Sequence, residues 1–170
     1  ICGGDKSKTV DDQIRHAVTK LSHIHLVTNE NSMKRILKLG EESFRVFNVG
    51  NPGLDRFVNT PNLNKNDIFK SLNLNININD PLLIVIQHSV SSEINAAYSQ
   101  MKETLESIKF LKLPTLVINP NSDAGSEQII RAIKEYQNYP NIYFYKNIPR
   151  REFINLLKNC SCLIGNSSSG

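Results

Sequence analysis

The sequence predicts an α/β fold of Rossmann-like parallel sheets. Three observations carry this. Short apolar runs recur along the chain, stretches with helical spacing alternate with them, and nearly every run ends in small or polar residues. Runs that are apolar throughout, rather than alternating, suit strands covered by helices on both faces. Right-handed crossovers between such strands give the Rossmann pattern.

The elements follow in order. Residues 10–22 are predicted helical, because Val10, Ile14, Ala17, Val18 and Leu21 fall on one face. Residues 24–27 form a short strand, and 29–39 a helix stopped by Gly40. Residues 45–49 form a second strand that ends in a strong turn signal, Gly50-Asn51-Pro52-Gly53. Residues 59–80 are asparagine-rich, a bias that often reflects a genome rich in A and T. With one short helix at 65–72, this stretch reads as the junction between two lobes. Beyond it come a strand at 82–86 and a helix at 91–110 with Ser91 or Ser92 as N-cap. A strand at 115–118, a helix at 126–137, a strand at 142–145 and a helix at 150–158 follow. Residues 160–164 read as a last, buried strand.

Composition narrows the classes. A hydrophobic content of 39% and a charged content of 21% are ordinary for a globular protein, and no apolar stretch is long enough to span a bilayer. There is no signal peptide and no initiator Met, so both ends read as internal to a longer protein. The net charge of +4 is scattered, which suits a solvated surface or a nucleotide partner. Nucleic acid is discounted, because the aromatics do not interleave with basic residues as a base-stacking platform requires. Three cysteines make a disulfide framework improbable and point to a reduced, cytoplasmic setting. Cys160 and Cys162, two apart on one expected strand, read as packed thiols. The four histidines have no metal-ligand spacing with cysteine, so no structural zinc is expected.

In parallel sheets, ligands bind at the carboxyl ends of strands. Gln87-His88 follows one strand, residues 119–126 another, Lys146 to Pro149 a third and Gly165 to Gly170 the last. All four segments are polar, and the topology brings them to one rim. His88 suits a general base, a phosphate donor, a base-edge contact or a simple strand-end residue. The Gly-Asn-Ser-Ser-Ser-Gly loop suits anion binding or an ordinary serine-rich turn. Near the start, Gly3-Gly4-Asp5 precedes Asp11-Asp12 and Arg15-His16. Asp12, Arg15 and His16 share a helix face at i, i+3 and i+4, so a carboxylate, a guanidinium and an imidazole can meet. Clustered carboxylates can supply an acid or base near neutral pH, though Asp11 and Asp12 equally suit a helix N-terminus.

Taken together, these segments resemble the hydrolysing sugar-nucleotide 2-epimerases. The resemblance runs through Gly3-Gly4-Asp5, residues 11–22, His25, residues 49–55, Gln87-His88, residues 120–126 and residues 165–170, in that order. It implies two Rossmann-like lobes facing across a cleft, a GT-B-type fold. Residues 1–57 would end the first lobe, and residues 58–170 would start the second, UDP-binding one. It implies conversion of UDP-N-acetylglucosamine and water into N-acetylmannosamine and UDP through a glycal, without metal or cofactor, for sialic acid-type sugars. Homo-oligomers are common in the family, so a homo-oligomer is implied too.

Residue by residue, the resemblance makes Asp5 an acid/base candidate at a position usually held by Glu. Asp there is shared with members acting on a 4-amino-6-deoxy sugar nucleotide, on the legionaminic acid route. Asp11 or Asp12 matches the second carboxylate, with Asp12 favoured, and Arg15 and His16 orient it. His88 matches a histidine near the diphosphate and C2. Asn121 and Ser126 match the nucleotide-side loop, Ile148 a backbone contact to uracil, and Ser167 and Ser168 the diphosphate-binding serines. The fragment by itself is expected to be inactive. The alternatives are a GT-B glycosyltransferase, which needs no C2 proton chemistry, a non-hydrolysing epimerase, and a non-catalytic nucleotide-binding module.

Overall fold

The computed structural model describes residues 3–7 and 11–167. The chain divides into two compact units, Ile1–Asn59 and Thr60–Gly170.

The first unit contains α1 (Asp11–Leu21), β1 (His25–Val27), α2 (Glu30–Lys38), β2 (Val46–Asn48) and α3 (Pro52–Asn59). The strands pair in parallel, His25 opposite Val46 and Val27 opposite Asn48. Val27, Ile36 and Val46 form a small buried core, with Met33 and Leu37 packed against it. Asn29 caps α2 by accepting the Ser32 N–H at 2.9 Å, and Glu30 in the first turn with Lys38 in the last complements the helix dipole.

Two expectations change here. The apolar stripe of α1 is not a core face within this unit: Ile14, Val18 and Leu21 are 46%, 41% and 82% exposed. Thr19 is buried instead, its hydroxyl donating to Arg15 O at 2.8 Å. Periodicity identifies a stripe but not what covers it, and Val10 lies outside the described residues. The turn signal at Gly50-Asn51-Pro52-Gly53 is the start of α3. Asn51 Oδ1 accepts the Gly53 N–H at 2.9 Å, and Pro52 occupies the first helical position, where its missing N–H costs nothing.

The second unit contains α4 (Lys65–Ser71), β3 (Leu83–Ile86), α5 (Ala97–Leu111), β4 (Thr115–Ile118), α6 (Ser126–Lys134), β5 (Ile142–Tyr145), α7 (Arg150–Asn159) and β6 (Cys162–Gly165). Its four strands form one parallel sheet in the order β5-β4-β3-β6. Neighbouring residues of one strand point to opposite faces. Val85 and Val117 enter a core with Met101, Leu105 and Ile129, from α5 and α6. Ile84, Ile86 and Leu116 enter the other, with Ile68, Phe69 and Leu156, from α4 and α7. Helices therefore cover both faces of the sheet.

The asparagines of the biased stretch perform structural work. Asn64 caps α4 by accepting the Asp67 N–H at 2.9 Å, Asn73 takes φ 52°, and Asn77 accepts the Asn79 N–H at 3.0 Å. Three other boundaries differ from expectation. A 3₁₀ turn, Ile94–Ala96, precedes α5, so neither Ser91 nor Ser92 caps it. α6 ends at Lys134. Cys160 ends α7 rather than opening the last strand, so the two cysteines do not share one strand face. Cys160 is half-buried, and burial pushes its thiol above the ordinary value; Cys162 is exposed. The last strand is an edge strand of this sheet, half-buried at its centre and exposed at both ends, not a fully buried one.

Candidate functional site

The strand order creates a switch point. From β3 the chain moves outward to β4 and β5, then returns to the other side of β3 for β6. In open α/β sheets, ligands bind at the carboxyl edge beside such a switch point.

Three strand ends meet there. Asn166, just beyond β6, accepts the His88 N–H on Oδ1 at 2.7 Å and donates from Nδ2 to His88 O at 2.9 Å. The Asn121 N–H, beyond β4, donates to His88 Nδ1 at 3.2 Å. Asn121 also donates from Nδ2 to Asp123 Oδ2 at 2.5 Å, and Asp123 O accepts the Ser126 N–H at 3.0 Å at the start of α6. The Ser89 hydroxyl donates to Ala124 O, tying the β3 loop to the β4 loop again. Gln87 is held from α5, its Oε1 accepting from Thr104 Oγ1 at 2.8 Å. The amino end of α6 adds a positive dipole and backbone N–H groups to this edge.

The structure therefore brings His88 and Asn121 into contact, with Ser126 two hydrogen bonds further on, through Asp123. Ile148 follows β5 with its side chain buried in the core. Ser167 follows Asn166 directly, half-buried, and Ser168 lies outside the described residues. Asn166 was missed by sequence reasoning. It sits inside the conspicuous serine loop, but its pairing with a residue far away in sequence leaves no local signal. A separate cavity of about 380 Å³, lined by Lys109, Phe110, Tyr139 and Asn141 among others, lies at the opposite, amino ends of β4 and β5.

In the first unit, Asp5 is held at the start of α2. Its Oδ1 accepts from Ser32 Oγ at 2.6 Å and Thr28 Oγ1 at 3.2 Å. Gly4 makes this approach possible, since a Cβ there would stand 2.3 Å from Ser32 O and φ is +78°. Arg35 donates to Gly4 O at 2.8 Å. Asp12 Oδ1 accepts from Ser7 N at 2.8 Å, Ser7 Oγ at 2.9 Å and Arg15 Nη1 at 2.9 Å. Arg15 also donates to Ser7 Oγ at 2.8 Å and lies 3.9 Å from the exposed carboxylate of Asp11. Arg15 thus orients Asp12. His16 does not take part: it is exposed and its ring makes no hydrogen bond among the described residues, so only two of the three residues expected to meet do so. A neighbouring network escaped the sequence reading. Buried His25 lies 3.1 Å from Glu41 Oε2, and Lys20 Nζ lies 2.8 Å from Glu41 Oε1; the bond from Lys20 holds the Glu41 carboxyl below its ordinary value.

A family model described as UDP-N-acetylglucosamine 2-epimerase matches residues 1–170. The chain belongs to the UDP-N-acetylglucosamine 2-epimerase family. It is 34% identical over 168 residues to a UDP-N,N'-diacetylbacillosamine 2-epimerase (hydrolyzing) of Legionella pneumophila, covering 99% of this chain and 44% of that protein. It is 33% identical over 170 residues to a UDP-N-acetylglucosamine 2-epimerase of Neisseria meningitidis, again covering 99% of this chain and 44% of the relative. The chain thus spans just under half the length of these members of the 2-epimerase family. The crystal structure of the Neisseria meningitidis UDP-GlcNAc 2-epimerase bound to UDP-GlcNAc shares the fold, with a TM-score of 0.80 at 14% identity over 99% of this chain and 47% of that one. The Methanocaldococcus jannaschii UDP-GlcNAc 2-epimerase in complex with UDP-GlcNAc and UDP does so at a TM-score of 0.73 and 15% identity, over 98% of this chain and 47% of that one.

Proposed function

We propose that the full-length protein is a hydrolysing UDP-sugar 2-epimerase that turns UDP-N-acetylglucosamine and water into N-acetylmannosamine and UDP. The reading is carried by the meeting of His88, Asn121 and Asn166 at the switch point in a chain of this family. A base removes the C2 proton as UDP leaves C1, giving 2-acetamidoglucal. Water then adds at C1, and C2 is reprotonated from the other face. The leaving diphosphate gains negative charge as the C1–O bond breaks, and hydroxyl and N–H donors fixed in advance stabilise that charge most in the transition state. His88, Asn121, Ser126, Ser167 and Ser168 are assigned to that task, and the Ile148 backbone to uracil. Asp5 and Asp12 are assigned the proton transfers at C2, where a weakly acidic proton demands a close, oriented base. Ser32 and Thr28 orient Asp5, and Arg15 orients Asp12. Asp11, exposed beside Arg15, and His16 are assigned to the sugar side.

A second substrate, UDP-2,4-diacetamido-2,4,6-trideoxyglucose, is favoured by relatives named for UDP-N,N'-diacetylbacillosamine at 34% and 32% identity, and by Asp rather than Glu at position 5. Either product feeds sialic acid-type sugar synthesis. We place the enzyme in the cytoplasm, as a homo-oligomer; the free thiols of Cys160 and Cys162 fit a reducing compartment.

Turnover of both UDP-sugars in deuterated water tests the reading. Release of free UDP with deuterium at C2 of the epimerised sugar is expected. Sugar transfer to an acceptor without deuterium at C2 would make the protein a glycosyltransferase.

A further inference from the structure

Two contacts at the switch point decide how His88 presents itself. A backbone N–H can only donate, so the Asn121 amide, 3.2 Å from His88 Nδ1, needs a lone pair on that nitrogen. A neutral imidazole that accepts on Nδ1 carries its proton on Nε2. The other contact holds the residue in place. The Asn166 amide pairs with both the N–H and the C=O of His88, at 2.7 and 2.9 Å. This side chain thereby extends the β3–β6 ladder beyond its last backbone pair, Ile86 with Gly165. Its orientation is dictated by its partners: turned over, the amide would set carbonyl against carbonyl and N–H against N–H.

We propose that Asn166 is a positioning residue for His88. It clamps the His88 backbone while the Asn121 amide selects the Nε2–H tautomer, so that His88 offers the diphosphate a fixed hydrogen-bond donor rather than a base. The proposal rests on the reading of the second unit as the nucleotide-holding part. Of the roles open to His88 from sequence, general base is the one this arrangement removes, because Nδ1 is engaged and Nε2 has no free lone pair. A neutral donor aimed in advance strengthens as charge develops on the leaving oxygens, without reorganising at the moment of bond cleavage.

The test uses the full-length protein labelled with ¹⁵N-histidine, with the His88 signals assigned by comparison with His88→Gln. Nucleotide-free wild type is expected to show a protonated Nε2 and an unprotonated Nδ1. In Asn166→Ala the two signals should move toward the average of mixed tautomers. A wild-type ring protonated on Nδ1, or an unchanged spectrum in Asn166→Ala, overturns the proposal whether or not the protein turns over a UDP-sugar. Failure of wild type to release UDP counts against the epimerase reading instead, and the spectrum still decides the proposal. In the active enzyme, Asn166→Ala is expected to lower kcat/KM by roughly 10- to 100-fold. The same change on a His88→Gln background should cost about threefold or less, because the group it positions is gone. Equal losses in both backgrounds overturn the positioning role.

Discussion

Gly165 lies so close to Ile86 that no side chain fits between them. A Cβ on Gly165 would stand 1.9 Å from the Ile86 carbonyl oxygen, and the residue adopts φ +137°, a region essentially reserved for glycine. That contact lets the end of β6 close in on β3, so that Asn166 reaches His88. Gly165→Ala is expected to push the two strand ends apart. UDP affinity of the full-length protein should fall at least about tenfold, since a misplacement on the order of 1 Å is enough for such losses, and Tm should drop with it. Calorimetric titration with UDP checks this; an unchanged affinity would separate the switch point from nucleotide binding.

Among the described residues, Asp12 Oδ1 accepts three hydrogen bonds, from Ser7 and Arg15. Asp12→Asn keeps an acceptor oxygen but removes the charge that a C2 base needs. Turnover is expected to fall by about 10²- to 10⁴-fold, while UDP affinity stays within about twofold of wild type, because the diphosphate donors are assigned to other residues. UDP release and calorimetry, measured side by side, distinguish this from a general loss of structure. Retained turnover would remove Asp12 from the chemistry.

Asn155 on α7 is completely buried and satisfies three backbone groups. Its Oδ1 accepts the Leu63 N–H at 2.8 Å, and its Nδ2 donates to Pro61 O at 3.1 Å and Arg151 O at 2.9 Å. These bonds fasten the segment before α4 to the sheet-covering helix. Asn155→Leu leaves the Leu63 N–H and the Pro61 carbonyl without this partner and is expected to cost about 3 kcal/mol. Urea unfolding should show a lower midpoint with an unchanged m-value; a midpoint equal to wild type would mean that the segment re-pairs with water.

Glu41 links Lys20 and His25, and the Lys20 hydrogen bond holds its carboxyl below the ordinary 4.5. A group whose value is depressed on folding stabilises the folded state above its unfolded value and loses that contribution as pH falls through the folded one. The advantage of wild type over Glu41→Gln should therefore be complete above about pH 5 and disappear progressively as the medium becomes more acidic than the ordinary carboxylate value. Melting temperatures of the two proteins from neutral pH into the acid range provide the check. A difference that persists undiminished at the acid end would assign the effect to shape rather than charge.

The elements that the sequence revealed are those whose cause is local. The strands at Leu83–Ile86, Thr115–Ile118 and Ile142–Tyr145 are apolar runs bounded by polar residues, and the short helix expected at 65–72 is α4. Errors arose where one local signal has two outcomes. Asn51-Pro52-Gly53 suits a turn or a helix start, and the helical run Pro52–Asn59 decides between them. The stripe Ile14, Val18 and Leu21 has helical spacing, yet spacing says nothing of what lies opposite. Asp12 and Arg15 were legible as partners because i, i+3 neighbours meet on any helix. His16 has the same spacing advantage and makes no such contact, since proximity along a helix permits a bond without requiring one.

The sequence by itself determined the α/β class, the polar character of every strand end and the family. Each depends on residue type and on neighbours within a few positions, where side-chain chemistry and backbone preference act directly. Only the tertiary structure decided that His88, Asn121 and Asn166 converge, that Gly165 must be glycine because of Ile86, and that Ser32 and Thr28 hold Asp5. These contacts join residues distant along the chain. Those of the second unit form because strand order and register set β4 and β6 on either side of β3, and that choice is made by the packing of the whole sheet rather than by any segment of it.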